Sequence, residues 1–439
     1  MEVIISRLGI NGEGVTRLQG GEHDNKVCFV DFALPNEKVD IDIVQNKSKF
    51  CKGKLNKIIS KSVDRTEARC PYFTRCGGCD IQHLEITKQR EFKYKKVIDA
   101  LRKVASEDKV KPTVFDEPFE YRNKMVFAVR QEGNEKKIGM FESLSHHIID
   151  IERCLLTNDI INKVYAISKE YFLQSNNTAY NEKTKKGDIK YIVIREHNGS
   201  ILVTIVSTKK VKLDEYYDVL CQEFGSVGLS NLISTQDTEI LVGKYCQLYG
   251  LNELNIKEFG VEYGVNNLGF LQVNNAMKTK MYTRVLDEIS TDANVIDAYS
   301  GAGLLSAIIA GKARAVVGIE INESASKSAE NLAKKNNLQN IKFVCDDVAK
   351  SLPNVLENCS NTTLVLDPPR SGCSVSVSES IIENSDNIDK IIYISCNPAT
   401  LARDLEYLCE KFDIVSVTPF DLFPQTKHIE TLVVLERKG

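Results

Sequence analysis

No apolar run in this chain of 439 residues approaches the roughly 20 residues that a helix needs to cross a bilayer. The opening stretch MEVIISRLGINGEG also lacks the charged head and long apolar core of a secretory leader. Both absences set the expectation of a cytoplasmic protein without a membrane partner. An excess of positive charge is missing too. With 57 Lys and Arg against 60 Asp and Glu, the formal net charge is -3, so a nucleic acid has to be held by a local patch and not by a global field. Internal repeats and low-complexity linkers are absent as well. Cysteine, by contrast, is abundant. Thirteen cysteines in a reducing compartment read as buried packing, metal ligands or reactive thiols, not as a disulfide framework.

The 42% hydrophobic content suffices for two or three domains, and the texture of the chain divides it into three. Residues 1–60 alternate short strand patterns with Gly, Asn and Pro turn signals, which predicts a small OB-like β-barrel. Its last strands carry Lys47, Lys49, Lys52, Lys54, Lys57 and Lys61, with no acidic residue between Asp42 and Asp64. Such a row is either a solvated, aggregation-resistant edge or a phosphate-binding face. Residues 61–265 open with a helix over about 85–105, whose apolar face takes Phe92, Val97, Ile98 and Leu101 and whose basic residues point outward. This helix has the option of packing on the domain that follows. The rest of the segment is strand-rich and reads as a mixed α+β middle domain. From 266 to 439 helices and apolar runs alternate, the rhythm of a doubly wound, Rossmann-like α/β sheet.

Two constellations suggest bound groups. Cys70, Cys76 and Cys79 form a C-x5-C-x2-C cluster in CPYFTRCGGC, and Cys154 in DIERCLL is a remote fourth. Structural zinc usually pairs two close-spaced cysteines with two more, so three clustered plus one distant fits a cubane iron-sulfur cluster better; zinc and plain packing remain alternatives. Further on, VIDAYSGAGLLS ends a strand and turns through Gly301 and Gly303 into a helix, while Glu320 closes the next strand, where a carboxylate can bond a ribose diol. A phosphate-loop lysine and the longer dinucleotide fingerprint are both missing. S-adenosylmethionine therefore suits the turn better than ATP or a nicotinamide cofactor.

The segment IIYISCNPAT sets Cys396 directly after an apolar run that reads as a buried parallel strand. Chemistry in open α/β sheets collects at the carboxyl ends of such strands, so Cys396 stands where a nucleophile belongs, although a small residue closing a turn is the plainer alternative. DPPR, at 367–370, is by itself a rigid exit from a strand.

In combination these motifs resemble the RNA uracil-5 methyltransferases that carry an N-terminal TRAM barrel and a 4Fe-4S cluster, and the resemblance runs over nearly the whole chain. It implies cluster ligation by Cys70, Cys76, Cys79 and Cys154. It implies S-adenosylmethionine binding by Gln272 in FLQVN, Tyr299, Gly301, Gly303, Glu320, Asp347 in VCDD and Asp367 in DPPR. Cys396 in SCNPATLARD becomes the nucleophile, Glu430 in the His428-Ile429-Glu430 group the general base, and Asp367 an orienting acid. The substrate implied is a uridine in structured RNA, with 23S rRNA favoured over transfer RNA because members restricted to transfer RNA often lack both barrel and cluster. No obligate protein partner is implied. Phe270 is the aromatic candidate for holding the extruded base, and Arg122, Lys124, Lys52 and Lys54 are candidates for RNA backbone contacts. An N6-adenine enzyme would want an aromatic after Asp-Pro-Pro, where this chain has Arg370. A degenerate RNA-binding or redox-sensing protein would not need Cys396, Asp367 and Glu430 together.

Overall fold

The computed structural model describes residues 1–20, 24–236, 239–357 and 359–439. Strands β1 (Glu2–Ile4), β2 (Arg7–Leu8), β3 (Gly14–Arg17), β4 (Val27–Val30), β5 (Lys38–Asn46) and β6 (Phe50–Ser60) form one sheet. Residues 2–8 pair with β5 through their first half and with β3 through their second, which closes the sheet on itself. Alternation on β6 places Cys51 and Gly53 inside and Lys52 and Lys54 in solvent, as the period of two requires. Every lysine of the row is exposed.

Helix α1 (Ile86–Leu101) follows, started by Glu85, whose carboxylate accepts from the Thr87 amide at 2.8 Å. Val97 and Leu101 are buried as its pattern predicts, and they join the core of the C-terminal sheet. Lys95, Arg102 and Lys103 face outward as expected, but one basic residue does not. Lys93 is fully buried, because Asp421 on the far end of the chain supplies a carboxylate at 2.5 Å.

The middle sheet has the order β13-β12-β11-β10-β7-β8-β9, built from β7 (Lys124–Glu132), β8 (Glu135–Phe141), β9 (Ile148–Ile149), β10 (Ile189–His197), β11 (Ser200–Ser207), β12 (Val227–Ile233) and β13 (Lys244–Gly250). Helices α2 (Asp159–Gln174) and α3 (Asp214–Glu223) contribute Ile161, Tyr165, Tyr216 and Leu220 to its core. A hairpin of β14 (Leu254–Glu258) and β15 (Val261–Val265) then shares the core of the next sheet: Leu254, Ile256 and Tyr263 are buried in one cluster with Met277, Val285 and Ile308.

The C-terminal sheet comprises α4 (Asn275–Asp287), β16 (Asn294–Ala298), α5 (Leu304–Ala310), β17 (Ala315–Ile319), α6 (Glu323–Lys335), β18 (Ile341–Val344), α7 (Val348–Leu356), β19 (Thr362–Leu366), α8 (Val375–Glu383), β20 (Lys390–Ser395), α9 (Pro398–Leu408), β21 (Phe412–Phe420) and β22 (Glu430–Arg437). Strand order is β18-β17-β16-β19-β20-β22-β21, parallel except for β22. Its interior strands are apolar on both faces because helices cover both. The order reverses between β16 and β19, so the carboxyl ends of β16, β17, β19 and β20 open onto one crevice. Reversed β22 brings its first residue to that same edge.

Candidate active site

Three side chains meet at this edge because three adjacent strands deliver them. Leu366 of β19 is in register with Tyr393 of β20, and Ser395 of β20 with Thr431 of β22. Asp367, Cys396 and Glu430 are the residues just beyond. The backbone at Cys396 turns at once into α9, whose N-cap is Asn397, accepting from the Ala399 amide at 3.1 Å, with Pro398 at the first helical position. The Asn397 amide and the Thr400 hydroxyl each reach the Arg370 carbonyl at 3.3 Å, which ties the DPPR loop to the cysteine turn.

The site has the electrostatics of a place for proton transfer. Burial pushes the Glu430 carboxyl up to about 8, Asp367 adds to the rise, and Arg370 opposes it. Burial also raises the Cys396 thiol; the Glu430 charge raises it further and Arg370 pulls it back. Asp367 keeps solvent access but lies closely ringed by protein, and the loss of hydration takes its carboxyl up to about 7. The sequence reading gave Arg370 no part here, and the structure makes it the cation acting on both Cys396 and Glu430. Its loop is held from below. Asp404 accepts from the Cys373 amide at 2.8 Å and from the Tyr393 hydroxyl at 2.5 Å, and Arg403 donates to the Cys373 carbonyl at 2.9 Å. Only the SCNPATLARD string pointed to Asp404.

Beside this cluster lies the glycine turn. Tyr299, Gly301 and Gly303 all have positive φ, at 70°, 55° and 79°. At Gly303 a Cβ would stand 2.6 Å from the Ala329 Cβ and 2.9 Å from the Phe343 ring, so only glycine fits. Glu320 at the end of β17 accepts from the Gly301 amide at 3.0 Å and the Asn322 amide at 2.7 Å. Asp347 caps α7 through the Ala349 amide at 2.9 Å. Deeper in, Asp297 is buried, bonded to the Ser306 hydroxyl, and pushed up to about 7 by that burial. Among the described residues, the buried Ser300 hydroxyl has no protein partner at hydrogen-bond distance. A turn shaped for close backbone approach, a ribose-suited carboxylate and an orphaned hydroxyl fit a nucleoside-type methyl donor. Gln272 sits just ahead of α4, its carbonyl accepting from Asn123 at 3.0 Å.

Residues 86–438 match the tRNA (uracil-5-)-methyltransferase family model, and residues 1–55 match the TRAM domain. The chain belongs to the RNA uracil-5 methyltransferase family. Among relatives, an uncharacterized RNA methyltransferase of Clostridium acetobutylicum is 34% identical, with 99% of this chain and 96% of the relative aligned. One from Caldanaerobacter subterraneus is also 34% identical, over 99% and 98%. The crystal structure of the Pyrococcus abyssi tRNA (uracil-54, C5)-methyltransferase with S-adenosyl-L-homocysteine has the same fold. It superposes with a TM-score of 0.78 at 23% identity, covering 99% of this chain and 100% of that one. The chain is thus an S-adenosylmethionine-dependent RNA methyltransferase of the uracil-5 family, with a TRAM barrel at its N-terminus. Among the described residues no helix is long and apolar enough to cross a membrane.

In this family member, Cys70, Cys76, Cys79 and Cys154 line one small cavity of about 30 Å³ walled by Tyr72, Phe73, Met125 and Leu156. Burial raises the thiol of Cys79 to about 12 and that of Cys76 to about 11. Gln82 donates to the Cys79 sulfur at 3.2 Å, and the charge of Arg122 pulls the Cys76 and Cys154 thiols back down. Among the described residues, no three Cys, His, Asp or Glu side chains are placed to hold a metal ion. Convergence of four thiols, one amide and one guanidinium nevertheless suits a group that binds thiolates.

The RNA-contact candidates separate. Phe270 is 84% exposed and stands outside the core. Lys52 and Lys54 point into solvent. Lys124 turns inward and donates to the Asn267 carbonyl at 2.5 Å, and burial lowers it to about 7; no exposed ammonium is left for phosphate. Arg122 borders the cysteine cavity and also a larger cleft of about 590 Å³ next to Asn274.

Proposed function

We propose that this enzyme methylates carbon 5 of a uridine in structured RNA, with Cys396 as nucleophile and Glu430 as base. The observation that carries the reading is the placement of Cys396 and Glu430 on neighbouring strands beside the glycine turn. Carbon 5 of uracil is too weak a nucleophile to take a methyl group unaided. Addition of the Cys396 thiolate at carbon 6 forms a sulfur–carbon bond and moves charge onto carbon 5 and oxygen 4. Arg370 favours the thiolate. Tyr299, Gly301, Gly303, Glu320 and Asp347, together with Gln272, would hold S-adenosylmethionine, which would supply the electrophilic methyl group and leave as the neutral thioether. Glu430 then takes the proton from carbon 5, the 5,6 double bond reforms, and the Cys396 thiolate leaves. Asp367 lies where it can hydrogen-bond the base, and Phe270 offers an exposed face for stacking the extruded nucleotide.

The lysine-faced barrel together with the cysteine cavity supports 23S rRNA as the target, in line with the resemblance read from the sequence. Transfer RNA is the second reading, favoured by the likeness over barrel and catalytic domain alike to an enzyme of transfer RNA. Mapping 5-methyluridine in a deletion strain separates the two. We also propose that the four cysteines hold a 4Fe-4S cluster. One zinc ion draws its thiolates to about 2.3 Å from a single point, whereas a cubane accepts them at its separate corners. The four thiols line one cavity together, and a cluster needs four such attachment points. Iron content and visible absorbance of anaerobically purified protein fall together in Cys76→Ser; a colourless, zinc-bearing wild type excludes the cluster.

The mechanism is tested by the pair Cys396→Ala and Glu430→Gln. The first abolishes methylation and adduct alike. The second transfers the methyl group but stalls before elimination, leaving a methyl-labelled RNA–protein band in denaturing gels that vanishes in the double variant. Normal turnover by Glu430→Gln assigns the proton to another base.

A further inference from the structure

The segment that delivers Glu430 to the crevice, residues 421–428, is held by donors from outside its own sheet. Asn274 reaches the Leu422 carbonyl at 3.1 Å, Lys93 the Phe423 carbonyl at 3.0 Å and the Tyr121 hydroxyl the Pro424 carbonyl at 3.2 Å. The amides of Asp80 and Ile81 both donate to the Gln425 carbonyl, at 3.0 and 3.1 Å, and Lys96 donates to the Lys427 carbonyl at 2.9 Å. Side chains double the attachment. Gln89 and Gln425, both buried, exchange two bonds: the Gln89 amide donates to the Gln425 side chain at 3.0 Å and accepts from the Gln425 backbone at 3.2 Å. Asp80 accepts from the Lys427 backbone at 3.1 Å and pairs with its ammonium at 3.3 Å. Gln425 itself sits at φ 68°, a conformation a free loop would shed.

An ordinary surface loop satisfies its carbonyls with water. Here five of the six donors come from residues 80–121, and Asp80 directly follows Cys79. We infer that Asp80, Gln89, Lys93 and Lys96 are positioning residues for Glu430, so that the cysteine loop and α1 set the rate of proton removal without taking part in RNA or methyl-donor binding. The inference rests on the assignment of Glu430 as base. Addition and methyl transfer depend on β19, β20 and the glycine turn, whereas the polar bonds of this clamp end on residues 421–427. Loosening it therefore affects one step selectively.

The test is Gln89→Met, which keeps length and apolar bulk and removes both bonds to Gln425 together with one to the Leu84 carbonyl. Under single-turnover conditions with full-length enzyme, label transfer from S-adenosylmethionine into the adduct stays at the wild-type rate. Decay of the methylated adduct slows by on the order of tenfold, since small misplacements of a reacting group cost at least that much. RNA affinity by filter binding does not change. Lys96→Met, at a partly exposed position, gives the same pattern more weakly and serves if Gln89→Met does not fold. Equal loss in both steps marks a merely structural role, and unchanged adduct decay in both variants refutes the positioning role. Adduct accumulation in Glu430→Gln is measured alongside: its absence defeats the assignment of the base, whereas its presence with normal decay in Gln89→Met and Lys96→Met defeats only the clamp.

Discussion

Cys396 and Glu430 stand side by side at the edge of the C-terminal sheet, one position beyond the Ser395–Thr431 pair that joins β20 to β22. In the proposed mechanism the two groups act on one covalent adduct, and the Glu430 charge disfavours the Cys396 thiolate. Glu430 is held at about 8 chiefly by burial, and burial followed by the Glu430 charge holds the Cys396 thiol above its ordinary range.

That coupling sets a pH dependence. The base form of Glu430 is the ionised one, so elimination accelerates as pH rises through about 8 and levels off above it. Decay of preformed methylated adduct, followed from pH 6 to 9, shows the rise; a flat profile means that Glu430 is not the base.

The same carboxyl makes stability fall with alkalinity. Its folded value is above that of the unfolded chain, so the stability it contributes is present below about pH 4.5 and is lost as pH climbs through about 8. Glu430→Gln removes the ionisable group and raises the melting temperature at pH 9 by roughly 2–4 °C, with little change at pH 5. Scanning calorimetry at the two pH values reports the difference.

Gly303→Ala combines a positive φ with a Cβ 2.6 Å from Ala329. Strain and overpacking together come to about 2–3 kcal/mol, and the turn they displace is the proposed methyl-donor cradle. Titration calorimetry shows S-adenosylhomocysteine affinity falling by at least about tenfold, while RNA binding in gel shifts is retained.

Alanine at Lys52, Lys54 and Lys57 distinguishes a phosphate face from a solvated edge. All three are exposed on β6. Three lost phosphate contacts lower the slope of log affinity against log salt by about 2–3 and leave turnover at saturating RNA intact. An unchanged slope assigns the lysines to keeping the barrel edge soluble.

Much of this molecule was legible locally. The apolar runs ending in DPPR and SCNPAT, the glycine turn followed by Glu320, and the alternating barrel strands are patterns within a few residues, and periodicity with turn chemistry determines them whatever surrounds them. Such patterns were enough to mark the doubly wound sheet, the glycine turn and the strand ends at which the proposed nucleophile and base stand. Tertiary structure decided where long polar side chains go. Lys93 lies on a helix whose spacing would leave it in solvent, and it is buried because Asp421, 328 residues away, neutralises it. Lys124 turns inward because the Asn267 carbonyl receives it, and Arg370 faces both Cys396 and Glu430 because two strand ends converge. The β14–β15 hairpin shares the C-terminal core because apolar partners await it there. Burial of a charge depends on its partner, and when that partner is hundreds of residues distant no local pattern encodes the pairing.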